Sequence, residues 1–287
     1  MKIQLLGYPL GHSVSPAMQN AALREAGLDD WSYAAHPVPP EQLAAAVEAL
    51  RRPDMAGANV TVPHKQAIFP LLDGVTPVAE AIGAVNTVVK QPDGRLIGHN
   101  TDAAGFLADL YALDVAIAGR PVLVLGAGGS ARAVVAACAG VGARIRLMAR
   151  RREQAETLGQ LAPLTIYDWA PLDWLRACDD CVLIANCTPL GMAPKVDASP
   201  WLAGTPFPPT ALVYDLIYNP ADTRLTREAR AAGLRAATGL GMLVEQGLLG
   251  FELWTGRPAS RTTMRRAAEA ALAGWSQPVR PAATEGT

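Results

Sequence analysis

Short apolar runs alternate with stretches of helical period along most of the chain, and this alternation predicts an α/β fold built mainly on parallel strands. Residues 3–7 read as a first strand and residues 15–26 as a helix, with Pro16 in its first turn and Gly27 closing it. Residues 31–38 are strand-like, 41–51 helical and 57–62 a strand again. Residues 86–90 and 95–99 flank Pro92-Asp93-Gly94, a hairpin signal, and residues 101–113 return to a helical pattern. A fresh unit opens at Arg120. Residues 121–125 form a continuous apolar strand, and the turn from Gly126 to Gly129 leads into a helix of small residues ending near Ala139. Strands at 144–149, 181–186 and 212–216, a helix at 152–161 and two closing helices at 240–255 and 261–273 complete the pattern.

Composition narrows the class. Half of the 287 residues are hydrophobic and 18% are charged, enough to bury a large core. The net charge of −1 gives no overall attraction to nucleic acid or anionic lipid. The apolar stretch at the N-terminus is broken by Gly7, Pro9 and Gly11, so it is neither a signal peptide nor a membrane span, and a cytoplasmic location is expected. Cys178 and Cys181 form a lone CxxC with Asp179 and Asp180 between them; without a second pair or a nearby histidine they read as reduced structural thiols, and no metal is expected.

The glycine-rich turn carries the first chemistry. Gly126, Gly128 and Ala131 match G-x-G-x-x-A after a strand and at the start of a helix, the arrangement that brings backbone N–H groups against a pyrophosphate. Ala127, Gly129 and Ser130 complete that loop. An NAD site would place an acid at the end of the next strand, to bond the ribose 2′-OH. Here that strand runs into Arg150-Arg151-Arg152, guanidinium groups that suit a 2′-phosphate, so NADP is the favoured cofactor.

Polar residues cluster in the first unit where packing does not require them. Ser13 and Ser15 precede a helix start and offer a carboxylate cradle, although Ser15 also reads as a plain N-cap. NVTVPHK aims Lys65 off the end of one strand, and GHNTD presents Asp102 in the same way.

Taken in order, HSVSP, NVTVPHK, GAVNT, HNTD, GAGGSAR, NCTPLGM, DLIYNP and GLGMLVEQG resemble the shikimate dehydrogenase family from about residue 3 to residue 273. The resemblance implies a Rossmann-type NADP-binding domain plus an α/β substrate domain with a mostly parallel sheet and a cleft between them. It implies a substrate domain over 1–103, a cofactor domain over 104–238, helices returning to the substrate domain over 239–275 and a disordered tail over 276–287. Ser13, Ser15 and Tyr218 would hold a substrate carboxylate, and Thr61, Asn86 and Gln246 its hydroxyls. Lys65 and Asp102 would flank the reacting C3 oxygen. Beside the cofactor the resemblance sets Asn186, Thr188, Met192, Leu216, Gly239 and Met242, with Arg150 and Arg151 at the 2′-phosphate.

The activity implied is NADPH-dependent reduction of 3-dehydroshikimate to shikimate, by a monomer or homodimer acting on a small molecule. Lys65 has two readings here, acid–base group or electrostatic anchor. Rival readings are an NAD-using quinate/shikimate dehydrogenase and a ligand-sensing homologue without turnover. Three departures from the family pattern stand out: Ala149-Arg150-Arg151 where many members have Asn-Arg-Thr, Gln19 where a histidine is common, and Ala103 where a glycine is frequent.

Overall fold

A computed structural model of the chain describes residues 1–11 and 13–275; His12 and the expected disordered tail, 276–287, lie outside the described residues. Two six-stranded sheets carry the fold. The first is built from β1 (Lys2–Gly7), α1 (Ser15–Glu25), β2 (Ser32–Pro37), α2 (Leu43–Ala49), β3 (Met55–Val60), β4 (Gly74–Val75), α3 (Pro77–Ile82), β5 (Thr87–Lys90) and β6 (Leu96–His99). Its strand order is β2-β1-β3-β5-β6-β4. Three neighbouring pairs run parallel, while β5 is antiparallel to both β3 and β6, the second through the hairpin expected at Pro92-Asp93-Gly94.

Helix α4 (Asp102–Ala112) leads to the second sheet, made of β7 (Pro121–Leu125), α5 (Gly129–Gly140), β8 (Arg144–Met148), α6 (Arg152–Gly159), β9 (Leu164–Tyr167), α7 (Pro171–Cys178), β10 (Leu183–Asn186), β11 (Leu212–Asp215), α8 (Arg224–Ala231) and β12 (Ala236–Thr238). Every pairing in it is parallel, and its order is β12-β11-β10-β7-β8-β9. The order reverses between β7 and β10, both buried on either face as their unbroken apolar runs require. A crevice opens where the chain leaves such neighbouring strands in opposite directions, and here the glycine-rich turn sits at its mouth.

The last two helices, α9 (Leu240–Thr255) and α10 (Arg261–Trp275), go back to the first sheet. There α10 lies along α1 and α9 lies along α4. Val244, Phe251, Trp254, Met264 and Ala268 enter one core with Ile3, Leu5, Met18 and Tyr33. Phe251 is fully buried, a burial worth about 2 kcal/mol, and the Trp254 indole donates to the Val88 carbonyl at 2.9 Å.

Several short elements escape the periodicity reading: β4, α3, β9, α7, α8 and β12 have at most eight residues each. The expected strand over 57–62 instead begins at Met55 and stops at Val60, because Pro63 lacks an N–H and the chain turns, with His64 N–H bonded to Thr61 O at 2.8 Å. Lys65 therefore sits in a turn beyond the strand, not at its tip.

Candidate active site

Lys65 and Asp102 converge although they come from different elements. Lys65 follows the turn after β3, pinned by the bond from Val85 N–H to Lys65 O at 2.8 Å. Asp102 is the first residue of α4, where Asn100 Oδ1 accepts from the Asp102 N–H at 3.0 Å and so fixes the helix start. The Lys65 ammonium donates to Asp102 Oδ2 at 2.6 Å, with both side chains largely shielded from solvent.

Around that pair lies a dense polar network. Asn86 Nδ2 donates to Asp102 Oδ1 and to Thr101 Oγ1, each at 2.8 Å, and Asn86 Oδ1 accepts the Thr101 N–H at 2.8 Å. Gln246 arrives from α9 and places its Oε1 3.4 Å from Asn86 Nδ2 and from Thr101 Oγ1. It comes that close because α4 has glycine at 105, where a β-carbon would lie 2.7 Å from the Gln246 nitrogen. Asn59 donates to Asn86 O at 3.0 Å and to Thr87 Oγ1 at 3.1 Å, and accepts the Tyr33 hydroxyl at 2.8 Å. Buried polar groups satisfied this fully hold one geometry, since an orphaned partner costs about 1–3 kcal/mol.

The Tyr33 hydroxyl leads from this network to the serines. It neighbours the Ser15 hydroxyl and the Tyr218 phenol, and burial raises its pKa. The Tyr218 phenol, whose pKa burial raises, in turn neighbours the Ser13 side chain. Ser15 is not an N-cap: Val14 holds that position without a side-chain bond, and Ser15 N–H donates to Ser13 Oγ at 3.3 Å. Thr61 follows β3 directly, its N–H bonded to Leu6 O at 2.8 Å and its methyl against Gly7. Sequence reasoning named Ser13, Ser15, Thr61, Lys65, Asn86, Asp102, Tyr218 and Gln246, but missed Tyr33, Asn59 and Thr101. Asn59 carried a legible signal, as a lone amide in the otherwise apolar strand MAGANV.

The nucleotide end is built on different terms. Gly126 has φ +100, and a β-carbon there would lie 3.0 Å from Thr188 Cγ2, so the turn requires glycine. Gly128 caps the twelve-residue α5 without a side-chain bond, and a β-carbon on it would meet nothing within 4 Å. The helix thus presents Gly129, Ser130 and Ala131 with free backbone N–H groups in its first turn, beside Ala127 and Gly128. Asn186, at the end of β10, accepts Thr188 N–H at 2.9 Å and Thr188 Oγ1 at 2.7 Å, and its Nδ2 donates to Asp215 Oδ1 at 2.9 Å. Burial raises the Asp215 carboxyl to about 6, opposed by bonds from Thr223, Ile217 and Asn186. Leu216 N–H bonds Asn186 O at 3.0 Å and its backbone abuts Gly239, so these residues share one corner with Thr188. Met192, its N–H bonded to Pro189 O at 3.2 Å, is 47% exposed, while Met242 packs into the core beside Phe106 and donates its N–H to the Tyr214 oxygen at 3.3 Å.

Among the three arginines after β8, Arg152 is taken up by Glu156 and Asp168 at 3.2 and 2.8 Å. Arg150 and Arg151 are exposed, and neither makes an ion pair among the described residues. An open, uncapped helix N-terminus followed by two unpaired cations fits a dinucleotide with a 2′-phosphate. Among the described residues no cluster of His, Cys, Asp or Glu is placed to hold a metal, and no helix is long and apolar enough to cross a membrane.

The nucleotide end and the polar network meet. A β-carbon on Gly129 would lie 3.6 Å from Lys65 Cβ. Comparison with known proteins shows which family the chain falls in. The family model described as the shikimate dehydrogenase substrate binding domain matches residues 5–88, and that described as the shikimate 5′-dehydrogenase C-terminal domain matches residues 239–269. The chain is 45% identical over 279 residues to the shikimate dehydrogenase (NADP(+)) of Symbiobacterium thermophilum, covering 94% of each. The chain belongs to the shikimate dehydrogenase family. It is also similar, at 43% identity and 94% and 93% coverage, to the Moorella thermoacetica protein of the same name. The shikimate 5-dehydrogenase of Thermus thermophilus, solved in complex with NADP(H) and shikimate, has 41% identity and a TM-score of 0.86 over 95% of this chain and 100% of that one.

Proposed function

We propose that the protein catalyses 3-dehydroshikimate + NADPH + H⁺ ⇌ shikimate + NADP⁺, the reaction that supplies shikimate for aromatic amino acid biosynthesis. The observation that carries this reading is the shielded Lys65–Asp102 pair lying against the first turn of the nucleotide helix.

NADPH supplies the hydride when bound, and the chain's own residues do the rest. Ser13, Ser15 and Tyr218 hold the substrate carboxylate; Thr61, Asn86 and Gln246 take its hydroxyls. The Lys65 ammonium stabilises charge on the C3 oxygen and delivers the proton that makes it a hydroxyl, to be reprotonated from solvent after product leaves. Asp102 orients the ammonium and bonds the same hydroxyl. Gly126, Ala127, Gly128, Gly129, Ser130 and Ala131 receive the pyrophosphate, Arg150 and Arg151 the 2′-phosphate, and Thr188, Met192, Leu216, Gly239 and Met242 flank the nicotinamide end. Residues 1–103 and 239–275 serve as the substrate domain and 104–238 as the cofactor domain, in a cytoplasmic monomer or homodimer.

Following reduced cofactor by absorbance with shikimate and either NADP⁺ or NAD⁺ tests the reading. Turnover with NADP⁺ well above NAD⁺ is expected. Equal use of both cofactors would favour the quinate/shikimate type, and cofactor binding without turnover would leave a sensor.

A further inference from the structure

Arg132 lies one turn into α5, just past the glycine-rich loop, and the mechanism above gives it no part. Its Nε donates to the Ile82 carbonyl at 2.7 Å, the last carbonyl of α3 on the other sheet. Its guanidinium packs against Gly83, where a β-carbon would lie 2.5 Å from Nη2. Gly83 holds φ +67 as the helix C-cap, so this site admits the arginine only because the neighbour has no side chain. Burial lowers the pKa of the guanidinium, and no carboxylate offsets that cost among the described residues. A half-buried cation without a counter-ion is retained at an expense, and here it faces the negative end of a short helix.

The residues just after Ile82 give the contact its meaning, because they support the reacting centre. Ala84 O accepts Asn100 Nδ2 at 2.8 Å, Val85 N–H holds Lys65 O at 2.8 Å, and Asn86 bonds Asp102 at 2.8 Å. One turn of α5 thus touches the substrate side twice, through Gly129 against the Lys65 stem and through Arg132 at the root of the 83–86 loop.

We propose that Arg132 is a positioning residue: it ties the cofactor helix to the loop that carries Asn86 and braces Lys65, and so sets the gap across which hydride is transferred. The inference rests on the reaction proposed above but concerns the join between the two halves of the site, not the ligands themselves. An error of one ångström in such a gap is enough to slow chemistry strongly while leaving each ligand bound.

The test uses Arg132→Met, which keeps the bulk and removes the donor, and Arg132→Lys, which keeps the charge and loses the Nε bond. For both, kcat in shikimate oxidation should fall about tenfold to a hundredfold. Dissociation constants for NADP⁺ and shikimate, measured separately by titration, should stay within about threefold, and the isotope effect with shikimate deuterated at C3 should rise as hydride transfer becomes limiting. Ethylguanidinium added to Arg132→Ala should restore part of kcat, which a general loss of packing would not allow. Hydrogen exchange supplies an activity-independent arm: amides of residues 83–86 should exchange faster in the variants while those of β7 do not. A kcat within twofold of wild type in a folded variant overturns the proposal. So does a loss confined to NADP⁺ affinity, which would make the guanidinium a phosphate ligand, and so does unchanged exchange at 83–86. If wild-type protein fails to oxidise shikimate, the function falls, and the exchange measurement still decides whether Arg132 anchors the loop.

Discussion

The polar cluster around Lys65 and the nucleotide end meet where Gly129 lies against the Lys65 stem, but they are made in opposite ways. Around Lys65 nearly every polar atom already has a protein partner: Asp102 holds the ammonium, Asn86 holds Asp102, and Thr101 and Gln246 close the ring. At the nucleotide end the working parts are unsatisfied: a bare helix start, glycine where a side chain would fill space, and two exposed arginines that make no ion pair among the described residues. The first region is fixed before anything binds, as transition-state stabilisation demands. The second is completed by its ligand. Loss of a member should therefore be strongly coupled to its neighbours in the first region and nearly additive in the second.

The largest effect is expected at Lys65. Lys65→Met should lower kcat by roughly 10²–10⁴ with a much smaller change in KM, because the charge is lost and the stem kept. Asp102→Asn should lose less than Asp102→Ala, since an amide still bonds Asn86 and substrate. In the double variant Lys65→Met/Asp102→Asn the loss should fall far short of the product of the singles, as for groups acting as a unit. Near-normal turnover in Lys65→Met, measured where hydride transfer limits, would remove Lys65 from the chemistry. Multiplicative losses would deny that the two share one site.

Asp215 sharpens the comparison from within, as a preformed contact on the nucleotide side. Its carboxyl, ordinarily near 3.8, is raised to about 6 by burial. A folded-state pKa above the unfolded one favours folding below the unfolded value, and that contribution disappears as pH rises through about 6. Relative to Asp215→Asn, the wild type should lose roughly 2 kcal/mol of stability between about pH 4 and pH 7, most of the shift at 1.36 kcal/mol per pKa unit. Denaturant midpoints of both proteins across that range would show it. A constant difference would mean that the carboxyl titrates alike in the folded and unfolded chain.

Arg150 and Arg151 come next. Replacing both with glutamine should weaken NADP⁺ by about 2 kcal/mol, at the low end for charge-assisted bonds because both are exposed. NAD⁺ should be nearly unaffected, and the NADP⁺ loss should shrink as salt is raised. Equal weakening of the two cofactors would place the arginines elsewhere than at the 2′-phosphate.

The same contrast explains what the sequence made legible. Residues that act through fixed local geometry announce themselves: the glycine turn after an apolar strand, three consecutive arginines after the next one, a lysine and an aspartate in polar surroundings. Residues that act across the fold do not. Tyr33 meets Asn59 from 26 positions away, and Arg132 meets a backbone carbonyl 50 positions away, a partner with no side-chain identity to read. The two-residue β4 and six-residue α3 are too short to show a period, yet α3 ends at the carbonyl that Arg132 holds. The end of β3 at Val60, two residues short of the expected 62, followed from Pro63, a signal present in the sequence but outweighed there by the apolar run before it.

The smallest expected effect lies at the seam between the two styles. Ser13 is only half-buried; its oxygen accepts the Ser15 N–H at 3.3 Å, and its side chain neighbours the Tyr218 phenol. A carboxylate arriving there accepts the Ser13 hydroxyl proton while the oxygen keeps the Ser15 N–H. Ser13→Ala should then raise KM for shikimate about tenfold, near the low end for a bond to a charged group, with kcat little changed. Shikimate methyl ester, which has no carboxylate charge, should bind poorly to the wild type and lose much less on mutation. The comparison of acid with ester isolates the charge, because any general loosening of α1 would weaken both. Equal losses for acid and ester would show that Ser13 shapes the cradle without reading the carboxylate, and Ser15 with Tyr218 would have to carry that role.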